Sequence, residues 1–258
     1  MSLLQADALV VRRGGRPVVH GLSLALPPGE VTVILGPNGA GKTSLLTALA
    51  GLSVPASGGV TLDGVALAAM EPRARARRIG YLPQAPDLHW GLLVEAVVAL
   101  GRLPHRGAFA GLAAEDRQAI ATAMRLADVA ALAGRPANQL SGGERARVLA
   151  ARMIAGQPAV ILADEPLANL DPRHQLEMLR LFRALADRGA AVALVLHDLS
   201  AAARIADRAV LMRDGKAVRQ GRATEVLTPA ALSLLFDVPV VRVETADGPA
   251  LLPLGAIR

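Results

Sequence analysis

Apolar residues fall along this chain in short aliphatic runs separated by stretches with helical spacing, the alternation of an α/β protein. Residues 31–35, 160–163 and 191–196 are predominantly aliphatic segments of strand length, which predicts buried strands. The start of the chain is β-like: residues 8–11, a Gly14-Gly15 turn, then 18–26 with partial alternation, broken by Pro27-Pro28-Gly29. Helical spacing fills 42–50, 73–78, 93–101, 115–127 and 144–156. Residues 172–188 predict a long helix opened by Pro172 at its first position. Asp214-Gly215 between 209–212 and 217–220 is a hairpin signal, and 240–244 with 251–254 predict a second hairpin at Asp247-Gly248. From about 85 to 157 the chain is helical without a convincing strand, and strands resume after it. This predicts a helical subdomain, at about 85–157, inserted into a core of 1–84 and 158–237, with a short β-hairpin extension at 238–258.

Composition narrows the class. The 258 residues are 52% hydrophobic, which excludes a disordered chain, and 2% aromatic, so aliphatic packing must build the core. No apolar run approaches the roughly 18 residues of a membrane span. The N-terminus has no basic segment ahead of an apolar one, so no secretory signal is visible. With no cysteine, disulfides, thiolate metal sites and cysteine nucleophiles are ruled out, and the chain reads as cytosolic. The net charge of +6 is modest, and the isoelectric point of 11.0 is high because nearly all the positive charge is arginine. Arg73, Arg75, Arg77 and Arg78 form the densest basic cluster. It reads first as a solvated helix face, and otherwise as a surface for phospholipid headgroups or nucleic acid.

Two segments carry chemistry. Gly36, Pro37, Asn38, Gly39, Ala40, Gly41, Lys42 and Thr43, followed by Ser44, fit G-x-x-x-x-G-K-[ST] between a predicted strand and a predicted helix. Glycines there let backbone N–H groups turn inward around a phosphate, and the helix presents its positive N-terminus to the same anion. Lys42 is placed to reach the β- and γ-phosphates, and the Thr43 hydroxyl to bind Mg²⁺. Only Lys42 and Lys216 are lysines, so a compact point charge at this position stands out. The second segment is the aliphatic run 160–163 ending in Asp164 and Glu165. Asp164 suits an Mg²⁺ shell, and Glu165 suits polarising an attacking water.

Further residues, in order, resemble the ABC ATPase family. Leu140-Ser141-Gly142-Gly143-Glu144 is similar to its LSGGQ signature, with Glu144 at the usual glutamine position. Gln84 in Tyr81-Leu82-Pro83-Gln84 resembles the Q-loop, Asn169-Leu170-Asp171 the D-loop, and His197-Asp198 the switch histidine. The resemblance implies a P-loop NTPase (RecA-like) α/β core, an N-terminal antiparallel β-subdomain and an inserted α-helical subdomain. It implies an ATPase that closes as a head-to-tail homodimer, with each ATP between the phosphate loop of one copy and the Ser141–Glu144 signature of the other. In such a site Gln84 senses Mg²⁺ and the γ-phosphate, His197 contacts the γ-phosphate, and Asp171 works across the dimer. One departure concerns the base. The family usually stacks adenine on an aromatic upstream of the loop, and here that place falls near Arg12-Arg13-Gly14. Either Arg13 stacks its guanidinium plane on the base or base recognition is loose, so a preference for ATP over GTP is implied by the resemblance alone.

Secondary motifs resemble the importer ATPases for iron–siderophore complexes, haem and cobalamin: 99–105 (ALGRLPH), 170–175 (LDPRHQ), and His197-Asp198-Leu199 followed by Ala202-Ala203-Arg204. That group implies a multi-span permease dimer whose coupling helix docks beside the Q-loop, an indirect substrate-binding protein, no nucleic acid, and a place on the cytoplasmic face of a bacterial inner membrane. Asp87, Leu88, His89 and Trp90 follow Gln84, and Trp90, the sole tryptophan, is read either as facing the permease or as filling the subdomain join. The alternatives are an amino-acid, phosphonate or lipoprotein transporter ATPase, or a soluble non-transport ABC ATPase.

Overall fold

The computed structural model describes residues 3–84, 91–107, 110–246 and 248–255. The readings placed on Asp87, Leu88, His89, Trp90 and Asp247 lie outside these residues.

The chain opens with β1 (Leu4–Arg13) and β2 (Arg16–Leu26), an antiparallel hairpin in which Leu4 faces Leu26. Then come β3 (Val31–Leu35), α1 (Lys42–Leu49), β4 (Ser57–Leu62), β5 (Val65–Ala66), α2 (Pro72–Arg78) and β6 (Ile79–Leu82). Helices follow: α3 (Val94–Ala99), running into a 3-10 turn at Leu100–His105, α4 (Ala114–Leu126) and α5 (Gly142–Ala155). The chain continues with β7 (Val160–Asp164), α6 (Pro172–Asp187), β8 (Ala191–Val195), α7 (Leu199–Ile205), β9 (Arg208–Arg213) and β10 (Lys216–Arg222). It ends with α8 (Ala223–Val226), α9 (Pro229–Phe236), β11 (Val240–Thr245) and β12 (Gly248–Pro253).

Two sheets form the frame. One is antiparallel with order β2-β1-β4-β5. The other has order β10-β9-β3-β8-β7-β6, with β9, β3, β8, β7 and β6 parallel and only β10 antiparallel. The aliphatic runs have a simple cause. Alternate residues of each central strand point to opposite faces, and both faces are covered. Val31, Val33 and Leu35 join one apolar core with Ile161, Ala163, Val192 and Leu194. Ile34 joins the other with Val160, Leu162, Ala193 and Val195, packed under the antiparallel sheet and α1. Among the described residues no helix is long and apolar enough to cross a membrane.

The mixed α/β class follows the sequence pattern, with additions. Strands β4, β5 and β6 and helices α7 and α9 are further elements. Helix α5 starts at Gly142, because Ser141 caps it. The α2 arginines are not a free solvated face. Arg78 pairs with Asp63 at 2.6 Å, Arg75 donates to the Leu67 carbonyl, and Arg73 and Arg77 both donate to the carbonyl of Pro104.

Candidate functional site

The phosphate loop leaves the C-terminal end of β3, the centre of the parallel sheet, and enters α1. Gly41 has φ 92°, and a Cβ there would lie 2.3 Å from the Val18 carbonyl oxygen, so the position admits only glycine. Gly41 offers α1 no side-chain cap, which leaves the first N–H groups of the helix free to meet an anion. Lys42 is only 6% exposed, and its Nζ donates to the Gly36 and Pro37 carbonyls at 2.7 and 3.0 Å. Burial lowers its pKa, while the charges of Glu165 and Asp164 work in the opposite direction. Arg13, Val18, Asn38, Gly39, Ala40, Gly41, Lys42, Thr43, Ser44 and Glu165 line a cleft of about 260 Å³. Val18 was legible only as a strand residue; its place beside Arg13 comes from the hairpin folding back over the loop.

Asp164 ends β7 at 1% exposure, and neither of its carboxylate oxygens has a donor in hydrogen-bonding geometry. Burial raises its pKa above the usual carboxylate value; the nearby Thr43 hydroxyl tempers the rise without completing a bond. An orphaned buried carboxylate next to a hydroxyl is a hard oxygen donor set, which fits Mg²⁺. Among the described residues no three His, Cys, Asp or Glu side chains cluster as a metal cage.

Glu165 adopts φ 48°, a left-handed conformation unusual for a residue with a side chain. Its N–H still bonds the Val195 carbonyl at 3.2 Å, so the turn is tied to β8. Its carboxylate accepts from Gln84 Nε2 at 2.5 Å on Oε2 and pairs with His197 Nε2 at 2.6 Å on Oε1. Three residues from the ends of β6, β7 and β8 therefore meet at one carboxylate. Backbone strain at such a point costs about 1–3 kcal/mol and marks functional sites.

The signature residues lie outside the phosphate-loop cleft, with Gly142 and Glu165 lining a separate cavity of about 150 Å³. Ser141 Oγ accepts from the Glu144 N–H at 3.3 Å, and Glu144 Oε2 accepts from the Ser141 N–H at 2.9 Å, a reciprocal capping box. That backbone bond, helped by Arg135 at 3.0 Å, holds the Glu144 carboxyl below its ordinary pKa. Asp171 caps α6 through the His174 N–H at 2.9 Å and bonds His174 Nδ1 at 2.7 Å. The His174 ring packs against Gly143, which joins the D-loop to the signature turn. Residue spacing alone gave no signal of this contact. Ser141, Gly142, Gly143 and Glu144 do not line the phosphate-loop cleft.

A parallel sheet with a phosphate loop at its central strand, a buried aspartate beside it and a held glutamate next in sequence defines a nucleotide-hydrolysing P-loop cassette. The family model described as ABC transporter matches residues 19–168. The hemin import ATP-binding protein HmuV of Pseudomonas fluorescens is 47% identical over 244 residues, 93% of this chain and 94% of that one. HmuV of Streptomyces coelicolor is 45% identical over 238 residues, covering 92% and 84%. Among solved structures, an inward-facing metal-chelate type ABC transporter superposes with a TM-score of 0.86 at 27% identity, covering 99% of this chain and 98% of that one. A dimeric bacterial ABC transporter cassette superposes at 0.75 with 28% identity, covering 85% and 98%. This chain belongs to the ABC transporter family as its ATP-binding, ATP-hydrolysing component.

Proposed function

We propose that the chain energises haem uptake as the ATPase subunit of a bacterial importer, working as a homodimer beneath a separate permease dimer. The observation that carries this reading is the near-full-length similarity to proteins named for hemin import. The names favour haem over siderophores or cobalamin within the same importer group. The proposed working parts are a core of 1–84 and 158–237, a helical insert of about 85–157 and an extension of 238–258.

In this reading the loop amides and Lys42 bind the β- and γ-phosphates, and Arg13 with Val18 supports the base. Thr43, Asp164 and Gln84 would hold Mg²⁺, which when bound offsets phosphate charge. Glu165, held by Gln84 and His197, accepts a proton from water as the water oxygen bonds to the γ-phosphorus and the bond to the ADP oxygen breaks. Ser141, the Gly142 and Gly143 amides and Glu144 serve the nucleotide of the second copy. The capped N-terminus of α5 supports that arrangement, because its first amides suit an anion. Asp171 acts at the seam. A substrate-binding protein would deliver cargo to the permease, and nucleic acid has no part. The ATPase then sits on the cytoplasmic face of the inner membrane.

The test is capture from native membranes with tagged Glu165→Gln and Mg·ATP, followed by hemin uptake in cells lacking the gene. A multi-span permease and a hemin-specific uptake defect are expected. Recovery of soluble proteins or nucleic acid alone would leave the ATPase standing and remove the transport role.

A further inference from the structure

The 3-10 turn at Leu100–His105 touches neither the phosphate loop nor Glu165, yet it is gripped from both sides. From the core, Arg73 Nε and Arg77 Nε donate to the Pro104 carbonyl at 2.9 and 2.7 Å, and Arg73 Nη2 reaches the Leu103 carbonyl at 3.4 Å. One carbonyl oxygen has two lone pairs, and two guanidinium groups use them. From the helical side, Arg102 Nη1 donates to the Ala155 carbonyl and to Gln157 Oε1, both at 3.0 Å. His105 Nε2 donates to the Gly156 carbonyl at 2.9 Å. The Ala155 and Gly156 carbonyls are the partly negative groups at the C-terminal end of α5. Arg102 and Asp116 form an ion pair at 2.8 Å with both residues 5% exposed, and Asp116 also accepts from the Ala113 N–H at 3.0 Å, fastening α4. Gly101 sits so close to α5 that a Cβ would lie 1.9 Å from the Arg152 carbonyl oxygen.

The geometry points to this turn as the joint that sets the angle of the signature helix against the core, with Arg73 and Arg77 as positioning residues. Helix α2 runs straight into β6, the strand that leads to Gln84. Helix α5 carries the capping Ser141 at its other end. A 14-residue helix is about 21 Å long, so a tilt of about 10° at the joint moves the signature end by about 3.5 Å. That is enough to make or break phosphate contacts, where misplacement by about 1 Å already costs about 10²-fold in rate. The inference rests on the proposed reading that the signature meets nucleotide held by a second copy.

The experiment compares full-length wild type with Arg73→Gln/Arg77→Gln and with Arg73→Lys/Arg77→Lys. Nucleotide affinity of the monomer is read with a fluorescent ATP analogue, and kcat is read in steady state. Mg·ATP-driven dimerisation is read in the Glu165→Gln background. The glutamine pair is expected to keep nucleotide affinity within twofold while kcat and the dimer association constant each fall about tenfold. The lysine pair should recover most of both. Should the glutamine pair prove insoluble, Arg77→Gln alone gives the same readout, because Arg77 is exposed. Unchanged kcat and dimerisation in a folded glutamine variant would overturn the joint. Failure of the Glu165→Gln protein with Arg73 and Arg77 intact to dimerise with Mg·ATP would overturn the two-copy reading itself, and the joint with it.

Discussion

His197 Nε2 stands 2.6 Å from Glu165 Oε1, so the residue just beyond β8 holds the carboxylate just beyond β7 from one side while Gln84 holds it from the other. A carboxylate fixed at both oxygens cannot rotate freely, and its aim on a water molecule depends on both holders. Replacing His197 by Ala should lower kcat by about 10²-fold or more while ATP affinity stays within about threefold, as expected for a contact that matters mainly in the transition state. Steady-state kinetics beside equilibrium nucleotide binding makes the check. A loss carried mainly by KM would assign His197 to binding.

Asp164 should trade stability for ligand binding. Its carboxyl is buried without a donor, and burial raises its pKa. A carboxyl with a raised folded pKa favours the proton in the native state. Its contribution to stability therefore falls as pH climbs from the unfolded value through the folded one, and the group is destabilising at neutral pH. Asp164→Asn should raise the melting temperature of the nucleotide-free protein by about 3 °C, for about 1 kcal/mol of relieved desolvation. The same variant should lose the further Mg²⁺-dependent stabilisation by ATP. Calorimetry with and without Mg·ATP at pH 5 and pH 8 measures both signs, and the gain should be smaller at pH 5.

Arg13 lines the cleft, and a guanidinium plane stacks on any base without reading its edge. GTP should therefore be used with a kcat/KM within about fivefold of ATP. Arg13→Ala should raise KM for both nucleotides by about threefold with kcat unchanged, the pattern of uniform binding. Competition assays with the two nucleotides decide it. A strong preference for ATP would require base recognition by other groups.

Gly101 is held against a backbone carbonyl that cannot move aside. Gly101→Ala should cost about 1–3 kcal/mol, a fall of about 3–9 °C in melting temperature. Thermal unfolding of the variant measures it directly.

Much of the frame is legible in the sequence because both faces of the central strands are covered, so Val31–Leu35, Val160–Asp164 and Ala191–Val195 carry no polar interruption apart from Thr32 and the terminal Asp164. Edge strand β6 is not. It has four residues, including Gly80, and only its pairing with β7 makes it a strand. The phosphate-loop residues are contiguous, so spacing alone assembles them. The clasp on Glu165 draws on the ends of three strands, and a family resemblance is what suggests Gln84 and His197. Arg73 and Arg77 of α2 give no hint of their partner, since the acceptor is a carbonyl of a distant turn and every residue type has one. His174 is similarly silent, because what it packs against is a glycine, which contributes no side chain.

The strand that carries the phosphate loop is flanked by two strands made much later in the chain: Val33 pairs with Leu194 on one side and with Ala209 on the other. Such non-local pairing slows folding, because the loops that join the partners must close before any contact rewards them. A nascent chain that has emerged only as far as α5 holds every residue of the loop but neither flanking strand. The anion cradle is therefore complete only once both later strands have joined β3. Nucleotide, which rewards only the closed sheet, pulls the population of completed molecules upward by mass action without hastening the steps that produce them.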